Sequence, residues 1–148
     1  MQEDIRVKNF DELSVEELYD IMHLRQEVFV VEQDCPYLDA DYKDQKSIHV
    51  SWYKDGVLAA YTRIVRPGVS YKEASFGRVV SKPQWRRKGL GRPLINKCIE
   101  VLESQLNTRV CRISAQSYLL PFYEEFGFEI CSEEYLEDGL PHKEMLRK

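Results

Sequence analysis

A mixed sheet with helices on its faces, an α/β (α+β) arrangement, is the fold class that the order of elements predicts. Three observations carry that prediction. Two β-like runs, 47–54 and 57–65, are joined by Asp55-Gly56, a two-residue type I′ hairpin signal. A basic loop containing glycine, Arg86-Arg87-Lys88-Gly89-Leu90-Gly91, opens a helix with a clear apolar period. A strand, a short helix and two closing strands then follow from residue 110. No linker, repeat or low-complexity segment interrupts the 148 residues, so 1–148 reads as a single domain.

Ile5-Arg6-Val7-Lys8 alternates and predicts a first strand. Ser14-Val15-Glu16-Glu17 is a capping box that opens a helix. Leu18, Ile21, Met22, Val28 and Phe29 give that helix its apolar stripe, and Arg25, seven residues after Leu18, falls on the same face. Residues 32–46 are polar, contain Pro36 and predict a loop or a broken helix. After the hairpin, Arg66-Pro67-Gly68 ends the second strand, and a third run spans 74–81. The helix from Gly91 to about Leu106 carries Leu94, Ile95, Cys98, Ile99 and Leu102 on one face. Pro93 lies in its first turn, where a missing N–H is harmless, and Asn107 stops it. Residues 110–115 predict a strand and 118–126 a short helix closed by Gly127. Residues 128–131 and 143–146 predict closing strands, with Asp138-Gly139 as the turn between them.

Apolar residues make up 43% and charged residues 31%, an ordinary soluble mixture with enough apolar side chains for a core. Twenty-one basic against twenty-five acidic residues leave a net charge of −4, which argues against a nucleic-acid partner. There is no apolar run near the roughly 18–20 residues of a membrane span. The acidic start, Met1-Gln2-Glu3-Asp4, lacks the basic and apolar regions of a secretory signal, so the expectation is a cytoplasmic protein with no membrane contact. Cys35, Cys98, Cys111 and Cys131 form no C-x-x-C pair and have no histidine at zinc spacing; reduced thiols and no metal are expected.

The chemistry concentrates in one segment. Lys82, Arg86, Arg87, Lys88 and Arg92 are five cations within eleven residues, with no acid among them. They lie at the mouth of a helix, whose free N–H groups and dipole favour an anion. Gly89 and Gly91 let the backbone approach a phosphate without a Cβ in the way. The P-loop pattern is absent, and G-x-G-x-x-G fails because Leu94 holds the third glycine position. The pattern [QR]-x-x-G-x-[GA] is present as Arg86-x-x-Gly89-x-Gly91.

That loop resembles the acetyl-CoA pyrophosphate loop of the GNAT family of N-acetyltransferases. The block from Ala115 to Phe128 resembles the family's later motif, a short helix that carries Tyr and ends in Gly-Phe. Leu24-Arg25, Val28 to Gln33, Cys35-Pro36-Tyr37, Gly77-Arg78-Val79-Val80 and Glu137 to His142 extend the likeness to the ElaA-like branch, from about residue 10 to the C-terminus. The resemblance implies a centrally splayed sheet and direct transfer of an acetyl group from acetyl-CoA to an amine on a small molecule or peptide. The runner-up is a CoA-binding sensor of the same fold without catalysis. An exposed strand edge would suit a homodimer.

The resemblance also implies roles. The Val79 N–H would face the thioester carbonyl, with Val80 and Ser81 continuing the cofactor-binding strand and the Ser81 backbone pairing with pantetheine. Arg86 and the N–H groups of Arg87, Lys88, Gly89, Leu90, Gly91 and Arg92 would hold the pyrophosphate. Gln116 occupies a place where many relatives have Asn. Arg87 occupies one where many have Gly, and an ordinary backbone conformation is expected there. Tyr123 matches the sulfur-facing Tyr that would protonate the leaving thiolate.

The acceptor side is read from residues. Glu32, Asp34, Asp39, Asp41 and Asp44 form an acidic stretch against Lys43 and Lys46; it reads either as a solvated loop or as a negative rim that attracts an ammonium. Arg25 needs a partner if buried, and Glu32, seven residues on, is its candidate. Glu32 also stands with Tyr123 and His142 as a candidate catalytic residue. His142, in Asp138-Gly139-Leu140-Pro141-His142, could line the acceptor pocket or act as base. His49 reads as structural, His23 as surface, and Tyr37, Trp52 and Trp85 as core or rim aromatics.

Overall fold

A computed structural model describes all 148 residues. Strands β1 (Glu3–Asn9), β2 (Ser47–Lys54), β3 (Val57–Val65) and β4 (Ser75–Ser81) form an antiparallel sheet in that order. Strand β5 (Cys111–Gln116) pairs with β8 (Leu140–Arg147), which also pairs with β6 (Phe128–Ile130) and β7 (Tyr135–Glu137). The two sheets meet at one parallel bridge, Ala74 to Cys111, where the Arg112 N–H donates to the Ala74 carbonyl at 2.9 Å. Beyond that bridge β4 and β5 diverge, as the resemblance implied.

Helix α1 (Val15–Arg25) begins with the expected capping box: the Glu17 N–H donates to Ser14 Oγ at 3.0 Å, and Ser14 N–H donates back to the Glu17 carboxylate at 2.8 Å. Burial works against ionisation of that carboxyl. The Ser14 amide, Lys8 and Arg6 outweigh it and hold the pKa at about 2. The chain then continues as a π-helix over Gln26–Glu32, with i→i+5 bonds from Gln33 to Val28 and Cys35 to Val30.

Helix α2 (Gly91–Gln105) lies where its period predicted. It packs Leu94, Ile95, Cys98 and Leu102 against Ile48, Val50, Ala60 and Ile113 of the sheet. Ile21, Leu24 and Val28 cover the other side, against Tyr53, Tyr61 and Val80. With both faces covered, β2 is buried along its whole length. Cys98 and Cys111 are core residues, as expected.

The expected helix over 118–126 is a 3-10 turn (Ser117–Leu119) followed by α3 (Leu120–Glu124). Strand β7 is an addition to the sequence reading. Asp138-Gly139, at φ 52° and 77°, joins β7 to β8 rather than β6 to β8. Asp55-Gly56 has the matching geometry, φ 49° and 80°, at the β2–β3 hairpin. Arg87 also departs from expectation, with φ 60°. It is exposed, and the reversals at Arg87 and Gly89 (φ 75°) turn the chain from the 3-10 turn at Pro83–Trp85 into α2. No helix is long and apolar enough to cross a membrane.

Candidate active site in the cleft between β4 and β5

The divergence of β4 from β5 opens a cavity of about 630 Å³. Strand β4 is re-aimed on the way. Tyr61 pairs with Val80 and Arg63 with Gly77, so Arg78 and Val79 together stand opposite Thr62 in a β-bulge. Val79 lines the cavity, whereas Val80 is buried against α1 and faces away from it. Ser81 ends the strand and is half-buried.

At the α2 end, Arg86, Arg87, Lys88 and Gly89 are exposed. Leu90 is buried and anchors the loop in the core. Leu90 is also the N-cap and gives no side-chain bond, so the first amides of α2 carry no cap. Three of the five cations have acid partners: Lys82 with Glu27 at 3.3 Å, Arg86 with Glu32 at 2.6 Å and Arg92 with Glu125 at 2.9 Å. Arg87 and Lys88 have none, and Lys88 Nζ sits 5.7 Å from the Trp85 ring centre. An exposed, uncapped helix start with two free cations fits a phosphate-bearing ligand.

Inside the cavity, Gln116 of β5 stands directly across from His142 of β8. His142 is buried, with Nδ1 2.8 Å from the Leu140 carbonyl and Nε2 3.4 Å from Glu137 Oε2. The carbonyl accepts only, so Nδ1–H donates to it and Nε2 is the basic nitrogen. Tyr123 lines the same cavity, its ring packed among Phe76, Phe122 and Phe128. Burial, then the neighbouring Cys98 and Tyr118, push its phenol pKa above the ordinary value, so it stays protonated.

Within the acidic stretch, Asp39, Asp41 and Asp44 are neither solvated nor a free negative rim, whereas Asp34 is exposed and has no basic partner. Asp39 Oδ2 and Asp44 Oδ1 each lie 2.7 Å from the guanidinium of Arg25, which is 0% exposed. Arg63 Nη1 lies 2.8 Å from Asp41 and 2.9 Å from Asp44, and a second Arg63 nitrogen meets Asp41. Arg78 Nε lies 2.8 Å from Asp39. Burial opposes ionisation of Asp41 and Asp44, but the arginines hold the Asp41 carboxyl well below the usual range and lower that of Asp44. The expected Arg25–Glu32 pair is absent: the wider π turn swings Glu32 off that face and onto Arg86. Glu32 is not among the residues that line the cavity.

His49 is structural, as expected: its ring bonds Tyr61 Oη at 2.7 Å and the Asp44 carbonyl at 2.9 Å. His23 is exposed. The sequence reading missed Arg63, Arg78, Tyr71 and Glu137 as cavity residues. Only Arg78 and Glu137 had a signal, through the blocks Gly77-Arg78-Val79-Val80 and Glu137 to His142.

A family profile described as an acetyltransferase (GNAT) domain matches residues 10–148. The protein ElaA of Escherichia coli is 37% identical over 139 residues, 93% of this chain and 91% of that protein. A UPF0039 protein of Synechocystis sp. is 40% identical over 140 residues, 94% of this chain and 91% of that one. The crystal structure of an acyl-CoA N-acyltransferase from Pseudomonas aeruginosa superposes with a TM-score of 0.95 at 37% identity, covering 99% of this chain and all of that one. That of Escherichia coli ElaA does so at 0.93 and 35%, with the same coverage.

Proposed function

The chain belongs to the GNAT acetyltransferase family, and from that premise we propose that it transfers an acetyl group from acetyl-CoA directly to a primary amine. One observation carries the reading: beside the diverging strands β4 and β5 lies a cavity lined by Val79, Gln116, Tyr123 and His142, in a chain whose helix α2 starts without a side-chain cap.

Acetyl-CoA would lie with its pyrophosphate on the loop 86–91, held by backbone N–H groups and by Arg87 and Lys88. Its thioester would enter the space that the bulge opens beside Val79. An N–H aimed at the carbonyl oxygen stabilises the negative charge that builds there. The acceptor would come from the opposite side, between residues 33–43 and the β7–β8 hairpin. Asp34, Glu137 and Asp138 line that side without a lysine or arginine partner and favour a cationic amine.

The amine must lose a proton to act as a nucleophile. His142 takes it at Nε2, the nitrogen that lies 3.4 Å from Glu137 Oε2. Tyr123 gives its proton to the departing sulfur. Cys35 also lines the cavity, but direct transfer gives its thiol no part.

Release of CoA thiol from acetyl-CoA with a panel of primary amines tests the reading. Tyr123→Phe keeps the ring and removes only the proton, so kcat should fall about 10²-fold with Tm and CoA binding nearly unchanged. Cys35→Ser should turn over like the parent. CoA binding without turnover on any amine would favour a sensor instead. Loss of turnover in Cys35→Ser would point to an acyl-enzyme.

A further inference from the structure

Arg78 adopts φ 51°, a left-handed conformation that glycine tolerates and a long side chain rarely takes. It sits at the bulge, one residue before Val79. Its side chain reaches across the cavity wall to the segment 37–41. Nε lies 2.8 Å from Asp39 Oδ1, and Nη2 lies 3.2 Å from the Asp39 carbonyl oxygen and 3.4 Å from Asp41 Oδ2. The guanidinium carbon stands 5.9 Å from the centre of the Tyr37 ring, and the Tyr37 hydroxyl donates to the Asp39 carboxylate at 3.1 Å. Both aspartates are anchored from behind, Asp39 by Arg25 and Asp41 by Arg63. Tyr37, Asp41 and Arg78 all line the cavity.

We propose that Arg78 is a positioning residue that clamps the acceptor wall, residues 37–41, to the bulge that aims Val79. One guanidinium then fixes two things at once: where the acceptor sits and where the acyl carbonyl meets its donor. The contacts of the phosphate loop are separate, so loss of the clamp alters acceptor use and turnover but not CoA affinity. A merely structural Arg78 would change Tm alone. The kinetic half of this inference rests on the acyl-transfer reading; the clamp itself does not.

Arg78→Gly separates the side chain from the backbone. Glycine adopts the same φ freely, so the bulge stays while the guanidinium goes. Arg78→Lys keeps a cation but loses the fork. Amide hydrogen exchange over residues 37–44, acceptor kcat/KM and the CoA-induced rise in Tm are read on parent and variants. In Arg78→Gly, exchange over 37–44 should quicken about tenfold or more. Its kcat/KM for the acceptor should fall about 10–100-fold, with the CoA-induced rise unchanged and Arg78→Lys in between. Unchanged exchange in 37–44 overturns the clamp. Faster exchange with parental kcat/KM overturns the positioning role. If the parent acetylates no amine, the acyl-transfer reading fails, and exchange alone decides the clamp in either direction. Should Arg78→Gly not fold, Arg78→Lys carries the same measurements.

Discussion

At the α2 end of the molecule, Arg87 and Lys88 are exposed and have no carboxylate partner; at the end proposed to take the acceptor, Arg25, Arg63, Asp39 and Asp44 are buried and paired with one another. Both ends are rich in charge. At the α2 end the charges are open to a ligand, and the backbone, through an uncapped helix start and a glycine at φ 75°, gives the site its form. At the acceptor end the buried charges answer each other, and their product is a fixed loop rather than a field. Charge counted along the sequence therefore carries different meanings at the two ends. Burial decides between them, because a buried ion must be paired and an exposed one need not be.

The largest expected effect comes from breaking the paired end. Arg25→Met fills the same space but leaves Asp39 with Arg78 alone and Asp44 with Arg63 alone, each short of its fully buried partner. Removing one partner of such a buried group costs about 3–5 kcal/mol. Chemical denaturation should read that loss directly. CoA binding, measured on the protein that remains folded, should be parental. A variant of parental stability would mean that the cluster is solvated after all, and the contrast between the two ends would disappear.

Gly89→Val reverses the pattern. At φ 75° a β-branched residue is strained, and the exposed loop relieves that strain by giving up the conformation. A Cβ at this position meets no neighbouring atom within 4 Å, so the fold itself has no clash to absorb. CoA at about 100 times its Kd stabilises the parent by about 2.7 kcal/mol. If the loop is the phosphate site, affinity should fall about 100-fold, and the same CoA concentration should then add less than about 0.5 kcal/mol. A parental ligand-induced shift would move the phosphate site away from residues 86–91.

These opposite behaviours explain what could be read from the sequence. The α2 end was legible because its demands fall on consecutive residues: Arg86, Gly89 and Gly91 lie within six positions, and the helix that follows declares its period. The hairpin turn at Asp55-Gly56 was legible for the same reason, as was the turn at Asp138-Gly139, though not the strand β7 that it joins to β8. The acceptor end was not. Arg25 meets Asp39 and Asp44, 14 and 19 residues away, across a segment with no periodicity. Helical spacing pointed to Glu32 instead, and the π turn at Gln26–Glu32 defeats that spacing. At Arg87, steric preference alone argued against the φ the loop adopts. Strand β7 is three residues long, too short to show alternation.

The smallest expected effect is a pH dependence at the back of the paired end. His49 is fully buried. The Asp44 carbonyl accepts from Nε2–H at 2.9 Å, so Nδ1 accepts from the Tyr61 hydroxyl at 2.7 Å, and the neutral ring satisfies both neighbours. Burial lowers the pKa first. Asp44 opposes that shift through its carbonyl and its charge, while Arg25 and Arg63 add to it. In the unfolded chain the same histidine titrates near 6.5. Below that pH the unfolded state takes up a proton that the folded state refuses, so protonation favours unfolding. Stability is therefore full above about pH 6.5 and declines as the pH falls, by at most about 1.4 kcal/mol per unit for one group. Asp41 and Asp44, whose folded pKa values are depressed, add their own loss only lower, as the pH drops below the unfolded carboxylate value of about 3.9. Denaturation midpoints at pH 8, 7, 6 and 5 should slope downward for the parent. His49→Gln, which has no proton to gain in this window, should lack the slope His49 contributes while being less stable at pH 8. If parent and variant slope alike, His49 is not held neutral, and the acceptor end is less tightly closed to water than Arg25 implies.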